Sequence, residues 1–587
     1  MKQSRYMKPA RPKMRSLLYS HIAVILAGVS AGAWSQSAPD AGALQRNLDL
    51  QLQRESQAPL VQPPKSEKKA PNENRGAKIT VSHFTFEGNT LFSGKELDQV
   101  VAPWVNKTLQ ISELQDAAVA IQDFYSAHQR IAQATLPPQE IKDGVVLIKI
   151  LEGKMGSVIV EPADISPEAK TRFSLERAQA YITNGAHGEV YINTQTTERS
   201  MLLLNEVPGI SATGAFEPGD GAGLSNFKVK LSDTPRFSGQ AALSNYGSAS
   251  TGAAQAIANL SLNNLSGIGD QVNLNAIQSE GSGYVVGNYI APVGYDGWKA
   301  GVQSSYLQYM TVPNWTSTPS AGSAATFQAN TTYAVQRSQS ANSTAKLSIE
   351  NRSYNNVQTA PSITTLSSYQ ITASNLSISG DWATANGSIF NYSAGYVFGH
   401  LGIRDLSEAQ ADQNGVGTAG AYSKWTFSLT YAQDLSFLGD TTWTNSIYGQ
   451  FANKNLNSSE QIYLGGAYGV RAYPTSQGGG SQGAILSTEL MHRINESWQV
   501  GAFGDLGLVQ QYVNLYSGWQ GLTNANNQYQ LGDAGMTAKF AYEKLLVSAS
   551  LAARIGNNPL HNSSGQQLNV DNAYKTVQAW VRASIPF

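Results

Sequence analysis

The residues best placed to do chemistry lie in a glycine-rich stretch, Tyr463-Leu464-Gly465-Gly466-Ala467-Tyr468-Gly469-Val470-Arg471-Ala472-Tyr473, and in Phe503-Gly504-Asp505-Leu506-Gly507 about thirty residues on. An arginine on a loop and a carboxylate on a strand can form a planar, two-pronged ion pair, directional enough to hold a loop in one conformation. From the residues alone, the simpler reading makes Arg471 a solvated loop residue and Asp505 a charge on the polar face of a strand. Catalytic signals are weak. Gly479-Gly480-Ser481-Gln482-Gly483 satisfies G-x-S-x-G, but in a glycine-rich loop without the strand-to-helix turn of a nucleophile elbow. The few histidines do not cluster at metal-ligand spacing, cysteine is absent, and no Gly-Lys-Ser/Thr phosphate loop occurs. The expectation is a protein that is no enzyme and takes no cofactor or metal.

The elements that must carry Arg471 and Asp505 are strands. From Phe237 onward, segments of about ten to fourteen residues alternate apolar and polar side chains between Gly, Asn, Ser and Asp turns. Trp425, Phe427, Leu429 and Tyr431 share one face, opposite Thr426, Ser428 and Thr430; Val577, Ala579, Val581, Ala583, Ile585 and Phe587 oppose Gln578, Trp580, Arg582 and Ser584. Roughly sixteen such segments predict a membrane barrel rather than a soluble sandwich. The same period puts Trp498, Val500 and Ala502 toward lipid, and Gln499, Gly501, Phe503, Asp505 and Gly507 toward the lumen. Glu543-Lys544 reads as a tight periplasmic turn, and Ser407–Ala421 and Ser517–Asp533 as outer loops.

Composition agrees. Charged residues make up only 14% of the 587-residue chain against 41% hydrophobic, well under the roughly one quarter usual for soluble domains. Six basic groups (Lys2, Arg5, Lys8, Arg11, Lys13, Arg15) precede the apolar run Leu17–Ala27 and Ala31-Gly32-Ala33, the pattern of a secretory signal peptide over residues 1–35. Without them 34 basic residues face 41 acidic ones, which argues against nucleic acid as a partner.

Between leader and barrel the chain divides further. Residues 36–76 read as a short helix with Leu44, Leu48 and Leu52 on one thin stripe, then a linker with Pro59, Pro63, Pro64 and Pro71. Residues 77–154 and 155–234 read as two α+β modules of similar order, an internal repeat. In the first, Ser112 with Gln115 resembles a capping box, and Ile131–Ile141 and Gly144–Ile150 are strand-like. In the second, helices are expected around Leu175–Ile182 and Gln195–Asn205, and a strand at Phe227, Val229 and Leu231. The barrel takes residues 235–587.

Several short motifs, in order, carry a family resemblance. They are Leu136-Pro137-Pro138-Gln139, Lys142-Asp143-Gly144, Leu202-Leu203-Leu204-Asn205-Glu206-Val207-Pro208-Gly209, Ser244-Asn245-Tyr246-Gly247, Asn264-Leu265-Ser266-Gly267-Ile268-Gly269-Asp270, Tyr289-Ile290-Ala291-Pro292 and the Val-Arg-x-Tyr and Asp-x-Gly segments. The chain resembles the two-partner secretion transporters (TpsB), the haemolysin-activator and haemagglutinin-exporter family of POTRA-barrel proteins. The resemblance covers nearly all of it after the leader.

That resemblance implies a mainly β fold: a 16-stranded antiparallel transmembrane barrel behind two periplasmic POTRA modules and a plug-like N-terminal helix (Leu44, Leu48, Leu52). It implies an outer-membrane pore of a Gram-negative bacterium that exports a large unfolded exoprotein of haemolysin, adhesin or contact-dependent toxin type, without nucleotide hydrolysis. Outer-membrane lipid, periplasmic chaperones and the barrel-assembly machinery are the other partners implied, with Phe587 as the sorting signal. It makes Val470, Arg471 and Tyr473 a loop latch and Phe503, Asp505 and Gly507 its partner on the lumen wall. An outer-membrane assembly factor or a passive porin are the alternatives. Two departures stand out. Ala472 replaces the usual glycine, so a different loop tip is expected if that position needs positive φ, and Gln129-Arg130-Ile131 stands where Gly-Tyr is common.

Overall fold

The computed structural model describes residues 39–56 and 78–587, apart from 165–170 and the single positions 187, 222, 522, 563 and 572. The expected signal peptide and the proline-rich linker lie outside the described residues. Sixteen antiparallel strands, numbered here along the chain from Phe237–Ser244 to Val577–Pro586, close into one barrel in which the last strand pairs with the first. At that seam Phe587 donates its N–H to the Gly239 carbonyl (2.9 Å) and accepts from the Gly239 N–H (3.0 Å). Closure leaves no strand edge in the membrane, the condition for a β-structure to span one.

Alternation sets the two faces. Leu243, Phe327, Leu376, Trp425 and Leu506 lie exposed on the outer surface, while Tyr284, Leu307, Ile371, Asp505 and Trp580 are buried on the inner one. Strand thirteen, Trp498–Gln510, alternates as its sequence predicts. Near the short-turn end, rings pair between neighbouring strands: Trp298 with Tyr333 (4.6 Å), Trp382 with Phe390 (4.5 Å) and Trp498 with Phe540 (4.7 Å). These form part of an interfacial aromatic belt. One loop expectation is corrected: strand fourteen already begins at Gln528, inside the expected loop; Ser407–Ala421 lies almost wholly between strands nine (Ile389–Ile403) and ten (Gly420–Asp434), and a short helix, Leu406–Asn414, forms within it. Gln528-Tyr529-Gln530-Leu531 does alternate, but with its apolar side chains inward and its glutamines outward, the reverse of the lipid-facing pattern that marks the other strands.

The first module places Val145–Glu152 between the parallel His83–Glu87 and the antiparallel Ala132–Thr135, with helices Gly94–Val101 and Ile111–Ala127 packed on them. The helix Ile111–Ala127 is capped at Gln110, not at Ser112 with Gln115, with the Gln110 N–H donating to Glu113 Oε2 (2.7 Å), because Lys107–Gln110 is a strand that runs straight into the helix; Ser112 is buried. The run Ile131–Ile141 shrinks to Ala132–Thr135, ending just ahead of Pro137-Pro138. The second module repeats the order: Leu224–Asp233 lies between the parallel Lys154–Pro162 and the antiparallel Ile210–Pro218, under helices Leu175–Ala186 and Thr194–Asn205. Glu206, at the end of the latter helix, pairs with Lys299 (3.2 Å) on barrel strand five (Trp298–Met310) and with Arg337 on strand six (Ser320–Arg337).

Candidate functional site

The segment between strand eleven (Thr441–Ala452) and strand twelve (Gln482–Arg493) turns back into the barrel. Its stem is a two-residue ladder, Ile462–Tyr463 with Gly479–Gly480. Its tip is a tight fold in which Val470 N–H donates to Leu464 O (2.7 Å) and Gly466 N–H to Tyr473 O (3.1 Å). Glycine is required at two places there: Gly466 has φ +122°, and a Cβ on Gly469 would sit 2.1 Å from the Leu464 carbonyl oxygen. Folding the tip this way buries Leu464, Val470, Ala472 and Tyr473 against Ile485, Phe503, Val509 and Leu531 of the wall.

That packing delivers Arg471 to the wall charge. Its Nε donates to Asp505 Oδ2 at 2.7 Å and its Nη2 to Oδ1 at 3.0 Å, while Nη1 donates to Glu489 Oε2 at 2.7 Å. The guanidinium carbon lies 3.3 Å from the centroid of the Phe503 ring, a cation–π contact in a desolvated setting. Gly507 leaves room for the loop, since a Cβ there would meet Val470 Cγ2 at 2.8 Å. Ala472 is not among the residues with positive φ, so the expectation of an altered tip is corrected: its backbone is in an ordinary region. Its N–H donates to Asp533 Oδ2 (2.6 Å), and its carbonyl accepts from Arg554 Nε (3.3 Å). Tyr473 is fully buried and lies under the Arg554 guanidinium at 4.3 Å.

The helix Ala41–Ser56 lies inside the barrel. Leu44 and Leu48, with Leu52 partly buried, pack on an apolar patch of the lumen wall that includes Tyr284, Leu307, Tyr354 and Ile371. Gln45 donates to Ser305 Oγ and Thr326 Oγ1, and Tyr309 and Asn356 bond the helix start at Pro39, Asp40 and Ala41. Helix and loop also bond each other, through Asp40 with Ser458 (2.7 Å), Asn47 with Ser476 (2.7 Å) and Glu55 with Tyr468 (3.3 Å). At the loop's base Glu460 pairs with Lys424 (2.8 Å) and Arg352.

Sequence reading found Arg471, Asp505 and Phe503 but missed Glu489, Ser487, Asp533, Arg554 and Trp580 around them. The signal was the period of two: Glu489 shares the inner face of strand twelve with Ser487, and Trp580 the inner face of strand sixteen with Arg582. Ser481 is fully buried; its hydroxyl donates to the Gln511 carbonyl (3.0 Å) and accepts from the Leu456 N–H (3.0 Å), so it serves the loop's backbone.

Comparison with known proteins agrees with this architecture. Residues 223–541, more than half of the chain, match the haemolysin secretion/activation protein family ShlB/FhaC/HecB, and residues 79–153 match the ShlB-type POTRA domain. The chain belongs to this family. It is an outer-membrane transporter of the two-partner secretion type, with its POTRA modules in the periplasm. Among curated relatives it is 25% identical to the heme/hemopexin transporter protein HuxB of Haemophilus influenzae over 90% of this chain and 93% of that one. It is 24% identical to the outer membrane transporter CdiB of Dickeya dadantii over 79% of each. CdiB from Escherichia coli has the same fold, with a TM-score of 0.67, 21% identity and coverage of 94% of this chain and all of that one. BamA from Haemophilus ducreyi lacking POTRA domains 1–3 is less similar, at 0.51 and 13% over 87% of this chain and all of that one.

Proposed function

We propose that this transporter captures one large exoprotein, unfolded, at its periplasmic modules and passes it through the barrel without nucleotide hydrolysis, folding outside supplying the bias. The observation that carries this reading is a lumen obstructed by the chain's own helix and inward loop, both held by side-chain contacts that can be released. Capture is by strand addition: Ala132–Thr135 and Ile210–Pro218 are each paired on one side only within their sheets, and although Asn205 covers Ala212 and Gln122 the Ala134 carbonyl, the rest of the second edge, from Gly214 on, keeps backbone donors and acceptors for an extended client. The helix plugs the resting pore, and Arg471 with Asp505 latches the loop. The client is an exoprotein of haemolysin, adhesin or contact-dependent toxin type. Periplasmic chaperones and the barrel-assembly machinery deliver the barrel to lipid, with Phe587 as the sorting residue. No catalytic step is involved.

The test is co-expression with a large candidate exoprotein of this class, with that exoprotein measured in the medium. Secretion by the intact transporter is expected. A properly inserted barrel that secretes nothing would turn the reading toward a passive porin or an assembly factor.

A further inference from the structure

The lumen is occupied unevenly. The helix start rests on strands five (Trp298–Met310), six (Ser320–Arg337) and seven (Ala341–Gln358), through Ser305, Tyr309, Thr326 and Asn356, while its end crosses the lumen, with Arg54 over the Tyr448 ring of strand eleven (4.1 Å) and Glu55 paired with Arg582 of strand sixteen (3.1 Å). The second module docks beneath the same side: Glu206 meets Lys299 and Arg337, Arg199 donates to the Ala334 carbonyl (2.6 Å), and Val207 abuts Gly269 in the turn between strands two (Gln255–Asn263) and three (Gln271–Gln278). The periplasmic half of strand eleven, below Tyr448, and strands twelve to fourteen lie on the side away from the helix start and the module. There a cavity of about 400 Å³ runs up the inner wall from the short-turn end, a volume in the range of ligand-binding clefts.

Its chemistry is uniform along its length. Thr442, Thr444 and Ser446 form a hydroxyl row on strand eleven, with Gln499 and Lys539 farther along the same wall on strands thirteen and fourteen and Met491 as its one apolar side chain. At the periplasmic rim Arg493 pairs with Asp440 at 3.0 Å, both half-exposed. At the inner end are Ser487 and Glu489, the same side chains that bond Arg471 from below. Hydroxyl and amide groups in a row can exchange hydrogen bonds with a main chain whatever its side chains, and the mixed charges favour neither sign. Such a wall suits an extended polar polypeptide and offers nothing to an apolar helix.

We propose that this vestibule is the intake port, where an extended polar segment of the exported polypeptide first enters the barrel while the helix is still seated. The segment then lies directly beneath the Glu489–Arg471 contact, so the port leads to the underside of the loop. This rests on the secretion reading above and adds the route and the order of events: occupation of the port precedes departure of the helix.

Because the chain has no cysteine, single-cysteine variants report cleanly. Thr444→Cys tests the port, and Ala324→Cys, buried with the helix cluster on strand six, tests the covered wall. The purified full chain would be treated with an unstructured peptide of serine, asparagine, glycine and threonine bearing a terminal bromoacetyl group. Alkylation of Thr444→Cys is expected to be about tenfold faster or more, because reaction at position 324 requires the helix to lift. Equally slow reaction at both positions overturns the port, and equally fast reaction overturns the seated helix. A second variant, Thr444→Trp, fills the vestibule and is expected to abolish exoprotein secretion at normal barrel levels. Undiminished secretion by that variant overturns the port alone. Absence of secretion from the unaltered chain overturns the secretion reading, and the alkylation rates then decide the port by themselves.

Discussion

Trp580, on the strand that closes the barrel, donates its indole N–H to the backbone carbonyl of Arg471 at 2.7 Å. The loop is therefore held at its key residue from two sides, by the Asp505 carboxylate on strand thirteen and by the final strand at the seam. Trp580→Phe keeps the packing and strands a buried carbonyl, which costs about 1–3 kcal/mol. The barrel should assemble at wild-type levels, while protease cleavage within the loop segment 464–473 becomes faster. Unchanged cleavage would show that the seam contributes nothing to loop position.

Arg471→Lys separates charge from shape. A lysine keeps the positive charge but cannot span Asp505 and Glu489 together or lie flat on Phe503. Breaking a buried pair costs about 3–5 kcal/mol, less where water reaches the lumen. Secretion by Arg471→Lys should fall nearly as far as by Arg471→Ala, measured as exoprotein in the medium at equal barrel levels. Near-normal secretion by the lysine variant would mean that charge alone suffices.

Gly507 tests the fit of the loop tip without touching any charge. Its absent side chain is the space that Val470 and Leu464 fill, and a Cβ would approach their methyl groups to 2.8 and 3.1 Å. Gly507→Val should displace the tip and raise single-channel conductance in planar bilayers, with Arg471 and Asp505 intact. A valine variant with the conductance of the parent would place the loop's grip in the ion pair alone.

How much of this was legible in the chain differs by element. Alternation in strand thirteen fixes which side chains face the lumen, so Asp505 and Phe503 could be placed before any coordinates. The inward course of the loop could not: nothing local in Gly465-Gly466 says that the segment bends into the barrel, and only the family resemblance supplied it. The helix stripe Leu44, Leu48, Leu52 was visible, but its partner was not. A polar lumen was expected, whereas Tyr284, Leu307, Tyr354 and Ile371 make an apolar patch from strands far apart in sequence. Ala472 shows the opposite error, a family glycine assumed to need positive φ where the backbone requires none. Non-local pairs such as Glu489 with Arg471 depend on strand register, which period-two reading leaves open by whole steps.

The joint between the second module and the barrel should loosen in acid. Burial pushes the Glu206 carboxyl upward, but the hydrogen bond from Arg337 and the charge of Lys299 outweigh it and hold the pKa below the ordinary 4.5. A depressed carboxylate contributes stability that is complete above its unfolded value and is lost as pH falls through the folded one. The joint is thus fully formed at neutral pH and weakens only below the usual carboxylate range. Glu206→Gln removes the charge at every pH, so its joint should be weak at pH 7 and flat with acidification. Spin labels on paired cysteines, one at exposed Ser211 in the module and one at a barrel turn, would read this as a broadening of the distance distribution. Broadening in the parent that begins above neutral pH, or an equal acid response in Glu206→Gln, would remove Glu206 as the group that ties the module to the pore.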